Sequence, residues 1–365
     1  MSPLCVWPKP PADDATLQDR LISKRQEYPF LFRVQPSDWH SSTRFDRDGN
    51  LLASFFETAA EAEYDRHNGG MEEVDLAILC KHMHWGCREP SRLISCSASP
   101  RWAFREGMRR IMDGGYLTNL VIIDGMKVRE DRNACELLEE LAEEECGNEE
   151  GCGDEWEYEE YGDDPDKFNR ERVEHENNLP WNYENALKFG SMAEVVLVFG
   201  IIPADAILAV VDMTSPVFCH ALDALYPRLS RTRCAVRKSF SDAWKRQVKY
   251  WLKQADVSEF ELGERAARLV VVMLHSTCME HLSHIKEVQK AKEYCDAAYG
   301  RMVSLSGQML LEIFDISSEH FFIDQGIQAI ITMKKMELMN SWESSHYAIT
   351  LGNLVESTRR MSVAD

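Results

Sequence analysis

The sequence predicts an α+β fold followed by an all-helical region. Three observations carry this: short β-type apolar runs are confined to the first 212 residues, helical spacing takes over after about residue 217, and a strongly acidic stretch interrupts the β-containing half. The 365 residues, 44% of them hydrophobic, are enough for two cores or for one core with a large insertion. The expected layout is an N-terminal extension over 1–27, an α+β domain over 28–215 and a helical domain over 217–365.

Residues 1–27 are Pro-rich with one short amphipathic stretch. The run 28–34, YPFLFRV, has strand character and holds Arg33 near its end. Residues 35–50 are polar and turn-rich. Helical spacing then marks 51–66 and 71–84, the second with Val74, Leu76, Ile78, Leu79 and Met83. Leu93 and Ile94 open a strand that ends in Ser95-Cys96-Ser97 and turns into a helix. Ser99 is a good N-cap there, and Pro100 a good first residue because it lacks an N–H that would be orphaned anyway. Trp102, Ala103, Met108 and Ile111 follow at helical spacing. Backbone N–H groups at such a helix mouth can meet a pyrophosphate, and the same S-x-S also serves ordinary capping and turn chemistry. A β-branched strand is expected over 117–123.

The acidic stretch runs from 129 to 176 and holds 21 acidic against 5 basic residues, a net of −16 out of −20 for the chain. Its first part, 134–145, has helical spacing; 146–166 combines acids and glycines without apolar periodicity and reads as a disordered or solvated loop. A helix is expected from Pro180-Trp181 to Phe189, closed by Gly190. Apolar strands over 193–199 and 206–211 then flank Gly200-Ile201-Ile202-Pro203, a tight reversal. Further on, 239–254 is a basic amphipathic helix with Trp244, Tyr250 and Trp251, and 259–288, 291–314, 323–342 and 347–360 are helical candidates.

Composition narrows the function classes. No run approaches the length of a membrane span, and the first residues place prolines and acids where a secretory signal would be apolar. Eleven cysteines, an odd number without a CxxC, suit reduced thiols. A cytoplasmic protein is expected, with the basic cluster 228–238 leaving nuclear entry open. His82-Met83-His84 and Cys87 offer ligand types, yet residues two apart on a helix point to different faces, so no metal is expected. Residues 228–253 carry nine Lys and Arg against one Asp; nucleic-acid binding there ranks behind a helix that buries its aromatics. The sequence does not specify an oligomeric state.

Three segments align in order: Arg33 at a strand end, a strand ending in Ser95-Cys96-Ser97, and Glu194 opening a strand. This order resembles the arginine-serine-glutamate signature of ADP-ribosyltransferases, the enterotoxin-like branch in particular, in which a Glu-Val strand is followed by Gly and Ile-Pro, as Glu194-Val195 is here by Gly200 and Ile202-Pro203 with one extra residue. The layout from LFRV through HMHW and ISCSAS to VLVFGIIP also resembles an uncharacterised group of intracellular fungal proteins with an ADP-ribosyltransferase-like domain. The resemblance implies two small packed sheets with flanking helices, NAD as substrate, and transfer of ADP-ribose to a macromolecular acceptor or hydrolysis of NAD. It implies that Glu194 is the catalytic carboxylate at the ribose, that Arg33 contacts phosphate or ribose, and that Ser95 holds the other two. Ser97 would support the strand end and Trp102 would stack on nicotinamide, although an aromatic at that spacing also suits a core. Arginine-modifying members carry a second acid two positions before the glutamate, where this chain has Met192. That departure leaves a second expectation: a protein that keeps the fold, lacks catalysis and binds partners through its helical domain.

Overall fold

The computed structural model describes residues 29–36, 43–83, 90–114, 117–128, 131–147, 183–226, 250, 253, 256–314 and 321–362. The expected N-terminal extension, the loop over 146–166 and the basic helix over 239–254 lie outside them, apart from Cys146, Gly147, Tyr250 and Lys253. The molecule is mixed α/β, with antiparallel sheets and a helical C-terminal region. It divides into two compact units, neither continuous in sequence: a strand-rich unit, Leu31–Ala103 with Ile123–Ile207, and a helix-rich unit, Met1–Phe30, Phe104–Ile122 and Leu208–Asp365.

In the strand-rich unit, strands β1 (Phe30–Pro36), β4 (Leu93–Ser97), β6 (Asp131–Asn133) and β7 (Val195–Phe199) lie in the order β6-β7-β4-β1. The pairings are antiparallel, with Phe32 opposite Ser97, Ser95 opposite Leu197 and Arg132 opposite Leu197 from the other side. A second sheet joins β2 (Thr43–Phe45), β3 (Leu51–Ala53) and β8 (Ile201–Ile202) in the order β2-β3-β8. Helices α1 (Ala59–His67), α2 (Leu76–His82), α4 (Ala134–Gly147) and α5 (Tyr183–Ala193) complete the unit, with the start of α3 (Pro100–Gly114).

Several local expectations change, each for a physical reason. Residues 35–50 are not all turn, since β2 forms within them. Residues 51–53 are a fully buried strand rather than the start of a helix. The helix begins only at Ala59, where a capping box fixes it: the Thr58 hydroxyl accepts from the Glu61 N–H and the Glu61 carboxylate accepts from the Thr58 N–H, each at 3.2 Å. Likewise α2 starts late, because Asp75 accepts from the Ile78 N–H at 2.7 Å and a short 3-10 turn, Gly70–Glu73, fills the preceding residues. Gly190 lies inside α5 rather than at its end: a Cβ there would stand 3.0 Å from Cys135 Sγ and 3.6 Å from the Ala134 side chain, so the glycine permits close packing of α5 on α4. Gly200, at φ +68°, is the step from β7 in one sheet to β8 in the other, so the chain changes sheets where a simple reversal was expected.

The helix-rich unit takes the end of α3, strand β5 (Thr118–Asp124) up to Ile122, β9 (Ile207–Asp212) from Leu208, and helices α6 (Pro216–Leu225), α7 (Glu259–His284), α8 (Val288–Phe314) and α9 (Phe321–Ser362). The last two expected helices are one, because 343–346 hold no proline or glycine to stop it. Phe104 packs on Phe218 and Tyr226 with ring centroids 6.1 and 5.6 Å apart, and Arg265 Nη1 donates to the Ala224 carbonyl at 2.9 Å, tying α7 to α6. α7 and α9 meet at a glycine pair. A Cβ at Gly263 would fall 2.1 Å from the Ile323 carbonyl oxygen, and one at Gly326 would fall 2.0 Å from that of Phe260. Gln308, fully buried on α8, accepts from the Phe30 N–H at 3.3 Å and donates to the Phe30 carbonyl at 3.2 Å. Cys80, Cys96, Cys135, Cys219, Cys278 and Cys295 are free thiols, and no described helix is long and apolar enough to cross a membrane.

Candidate active site

The strands that bear Arg33 and Ser95 and the strand that follows Glu194 come from three distant parts of the chain and lie side by side, β1 next to β4 and β4 next to β7. Arg33, half-buried in β1, reaches across to β4: its Nη1 donates to the Ser95 carbonyl at 2.5 Å, and its Nε donates to Thr43 Oγ1 on β2 at 3.1 Å. The planar guanidinium is thereby held by two sheets at once, a role its fixed fork performs better than an ammonium.

Ser95 and Ser97 share one face of β4 because strand side chains alternate, and Cys96 points to the other. The Ser95 hydroxyl is bonded to His82 Nε2 at 2.7 Å, and His82 Nδ1 to Ser91 Oγ at 2.7 Å. Ser91 Oγ already accepts from the Leu93 N–H at 3.1 Å, so its own hydrogen is available to Nδ1. In that tautomer Nε2–H donates to the Ser95 hydroxyl. Burial pushes the His82 pKa down to about 4, helped by the nearby Arg33 charge, so at neutral pH the imidazole is uncharged. Burial likewise raises the Cys96 thiol to about 12 against a smaller opposing pull from Arg33. Cys96 is therefore a packed thiol, 3% exposed, and not a nucleophile.

Glu194 sits between α5 and β7 at φ +46°, in the left-handed region that a non-glycine residue enters at a cost of roughly 1–2 kcal/mol. Its N–H donates to the Ser191 carbonyl at 3.4 Å and its carbonyl accepts from the Ala98 N–H at 2.9 Å. Ser97, 1% exposed, donates to the Ala193 carbonyl at 2.5 Å and accepts from the Ser99 N–H at 3.0 Å. Two consecutive carbonyls, 193 and 194, are thus held by the end of β4. Ser97 therefore holds the backbone next to Glu194. The Trp102 ring meets Phe189 on α5 edge-on at 5.9 Å, and Ser99 caps its helix by accepting from the Trp102 N–H at 3.1 Å.

The geometry thus couples Arg33 to Ser95 directly and places Glu194 one strand away, joined to β4 through backbone bonds. Sequence reasoning missed His82 as a member of this group. The histidine enters there as a candidate metal ligand and as the first residue of the HMHW landmark, and nothing in the local pattern announces a bond to a serine 13 positions on. Among the described residues no cluster of three or more His, Cys, Asp or Glu could hold a metal ion.

Residues 26–163 match the model of a domain of unknown function, DUF7587. The DUF7587 match contains Arg33, His82, Ser95, Ser97 and Trp102 and ends before Glu194, so it covers two of the three strands that meet at this site. No curated protein and no solved structure matches the chain.

Proposed function

We propose that this chain uses NAD as a substrate, transferring ADP-ribose to a macromolecular acceptor or hydrolysing NAD, on an ADP-ribosyltransferase-like arrangement of two sheets. The observation that carries this reading is the adjacency of the Arg33, Ser95 and Glu194 strands, with Arg33 bonded to Ser95 and Glu194 held in a strained turn. Backbone strain of this kind collects at active sites.

Cleavage of the nicotinamide–ribose bond leaves the bonding pair on nicotinamide and positive charge on the ribose. A carboxylate held beside the ribose lowers that barrier, because preorganised charge acts without reorganising during the reaction. Glu194 supplies it in this reading. Arg33 offers permanent positive charge toward phosphate, and the neutral His82 behind Ser95 fixes the hydroxyl without adding a competing charge.

The test is nicotinamide release by the purified full-length chain beside Glu194→Gln. Loss of one preorganised group predicts a drop of about 10² to 10³ in rate for the variant. Absence of release from both, with no NAD-induced thermal shift, overturns the proposal. Met192, in place of a second acid, favours the other reading, a non-catalytic fold that binds partners; no NAD binding together with capture of a partner through residues 217–365 would select it.

A further inference from the structure

The strand-rich unit has a second feature, built on α1 and on the turn that precedes it. A cavity of about 420 Å³ is lined by Phe55, Phe56, Ala60, Glu61, Tyr64 and Asp65. Its aromatic walls face outward: Phe55 is 50% exposed and Tyr64 73%, although folding normally hides rings of this size. Phe56 is buried and meets Phe55 edge-on at 5.2 Å, so it fixes the neighbouring ring.

The walls are paired with negative charge. Residues 57–75 hold seven carboxylates and one arginine. Two of these carboxylates are met by Arg92: its Nε pairs with the buried Asp65 Oδ2 at 3.5 Å and its Nη1 with Glu73 Oε2 at 2.9 Å, while Glu61 has no ion pair to a cation among the described residues. Glu61 turns one oxygen to the backbone N–H groups of Glu57 and Thr58, which keeps its carboxylate in place at the cavity. The chain itself demonstrates what this surface accepts: the Arg92 guanidinium lies over the Phe55 ring at 4.9 Å from its centroid. Aromatic faces flanked by carboxylates attract cations, and a planar guanidinium combines stacking with bidentate hydrogen bonding.

We propose that this cavity docks an arginine side chain of a basic polypeptide partner, between the exposed rings of Phe55 and Tyr64 and against Asp65 and Glu61. The site does not depend on NAD chemistry. It is nonetheless connected to the candidate active site, since the Phe55 N–H donates to the Ser91 carbonyl at 3.1 Å and Ser91 bonds His82, which bonds Ser95. An anionic partner such as nucleic acid is disfavoured by the same carboxylates.

The experiment uses the full chain and a dye-labelled peptide, Gly-Arg-Gly-Arg-Gly-Arg-Gly, beside its citrulline counterpart, which keeps shape and loses charge. Fluorescence anisotropy is expected to give binding that weakens with salt and is at least tenfold poorer for citrulline. The acidic stretch 129–176 attracts any cation, so the deciding comparison is wild type against Tyr64→Ala, which removes no charge. Tyr64→Ala is expected to bind the arginine peptide at least tenfold more weakly with unchanged thermal unfolding, and Tyr64→Phe to bind like wild type. No binding of the arginine peptide, equal binding of the citrulline peptide, or equal binding by wild type and Tyr64→Ala would each overturn the proposal.

Discussion

Two residues concentrate the tension in this molecule, and each makes a measurable prediction. Glu194 occupies a left-handed turn that glycine would fill without strain. Glu194→Gly relieves roughly 1–2 kcal/mol and gives back about 0.5–1 kcal/mol through added freedom of the unfolded chain. Denaturant unfolding is therefore expected to show a variant as stable as wild type or up to about 1.5 kcal/mol more so, while nicotinamide release, under the proposed function, falls to background. A destabilised variant would mean that the carboxylate holds the fold. His82 makes the second prediction. Its folded pKa of about 4 lies below the ordinary 6.5, so the unfolded chain binds the extra proton between those values. Stability contributed by the neutral imidazole is complete above about pH 6.5 and is lost as pH falls toward 4, by at most about 3 kcal/mol. His82→Gln should flatten the stability profile in that window; an unchanged acid slope would show that other groups set it. Neither residue was legible as strained or buried from the sequence. A positive φ and a desolvated imidazole are imposed by the strands and serines around them, whereas Arg33, Ser95 and Glu194 were singled out by their order and a family resemblance.

Strands β1, β4 and β5 and the Ser99-Pro100 helix start follow from apolar runs and capping chemistry that the chain carries on its surface pattern. The elements that differed are those decided by partners. Residues 51–53 are a strand because β2 and β8 pair with them, and Gly190 continues its helix because α4 approaches it. Two substitutions test this scale. Thr58→Ala removes one half of the capping box and is expected to cost about 0.5–2 kcal/mol, measured by thermal unfolding. Gly263→Ala places a methyl group against the Ile323 carbonyl, with no flexible side chain to move aside. A loss of about 1–3 kcal/mol is expected, and restoration to wild-type stability would require α7 and α9 to separate. Gly300, which has open space around it, is the control: Gly300→Ala in mid-helix should stabilise by up to about 1 kcal/mol.

Over the whole molecule, sequence order and spatial grouping part company. The helix-rich unit draws α3, β5, β9 and α6 from the middle of the chain to pack with α7–α9, as the contacts of Phe104, Phe218, Tyr226 and Arg265 describe. Such a grouping cannot be seen in the sequence pattern, which changes near residue 217 and not at residues 103 and 122, where the units also divide. A fragment ending at residue 226 is therefore expected to expose Phe104, Phe218 and Leu222 and to lose the sharp unfolding transition of the full chain; a fragment with an unaltered transition would show that the earlier segments carry their own core. The bond between Phe30 and Gln308 spans 278 residues, and it gives the molecule a temporal order as well as a spatial one. A ribosome adding about 5–20 residues per second exposes Phe30 roughly 15–55 s before Gln308 exists. Throughout that interval the backbone N–H and carbonyl of Phe30 lack their final partner, and both are satisfied only once the C-terminal helices emerge.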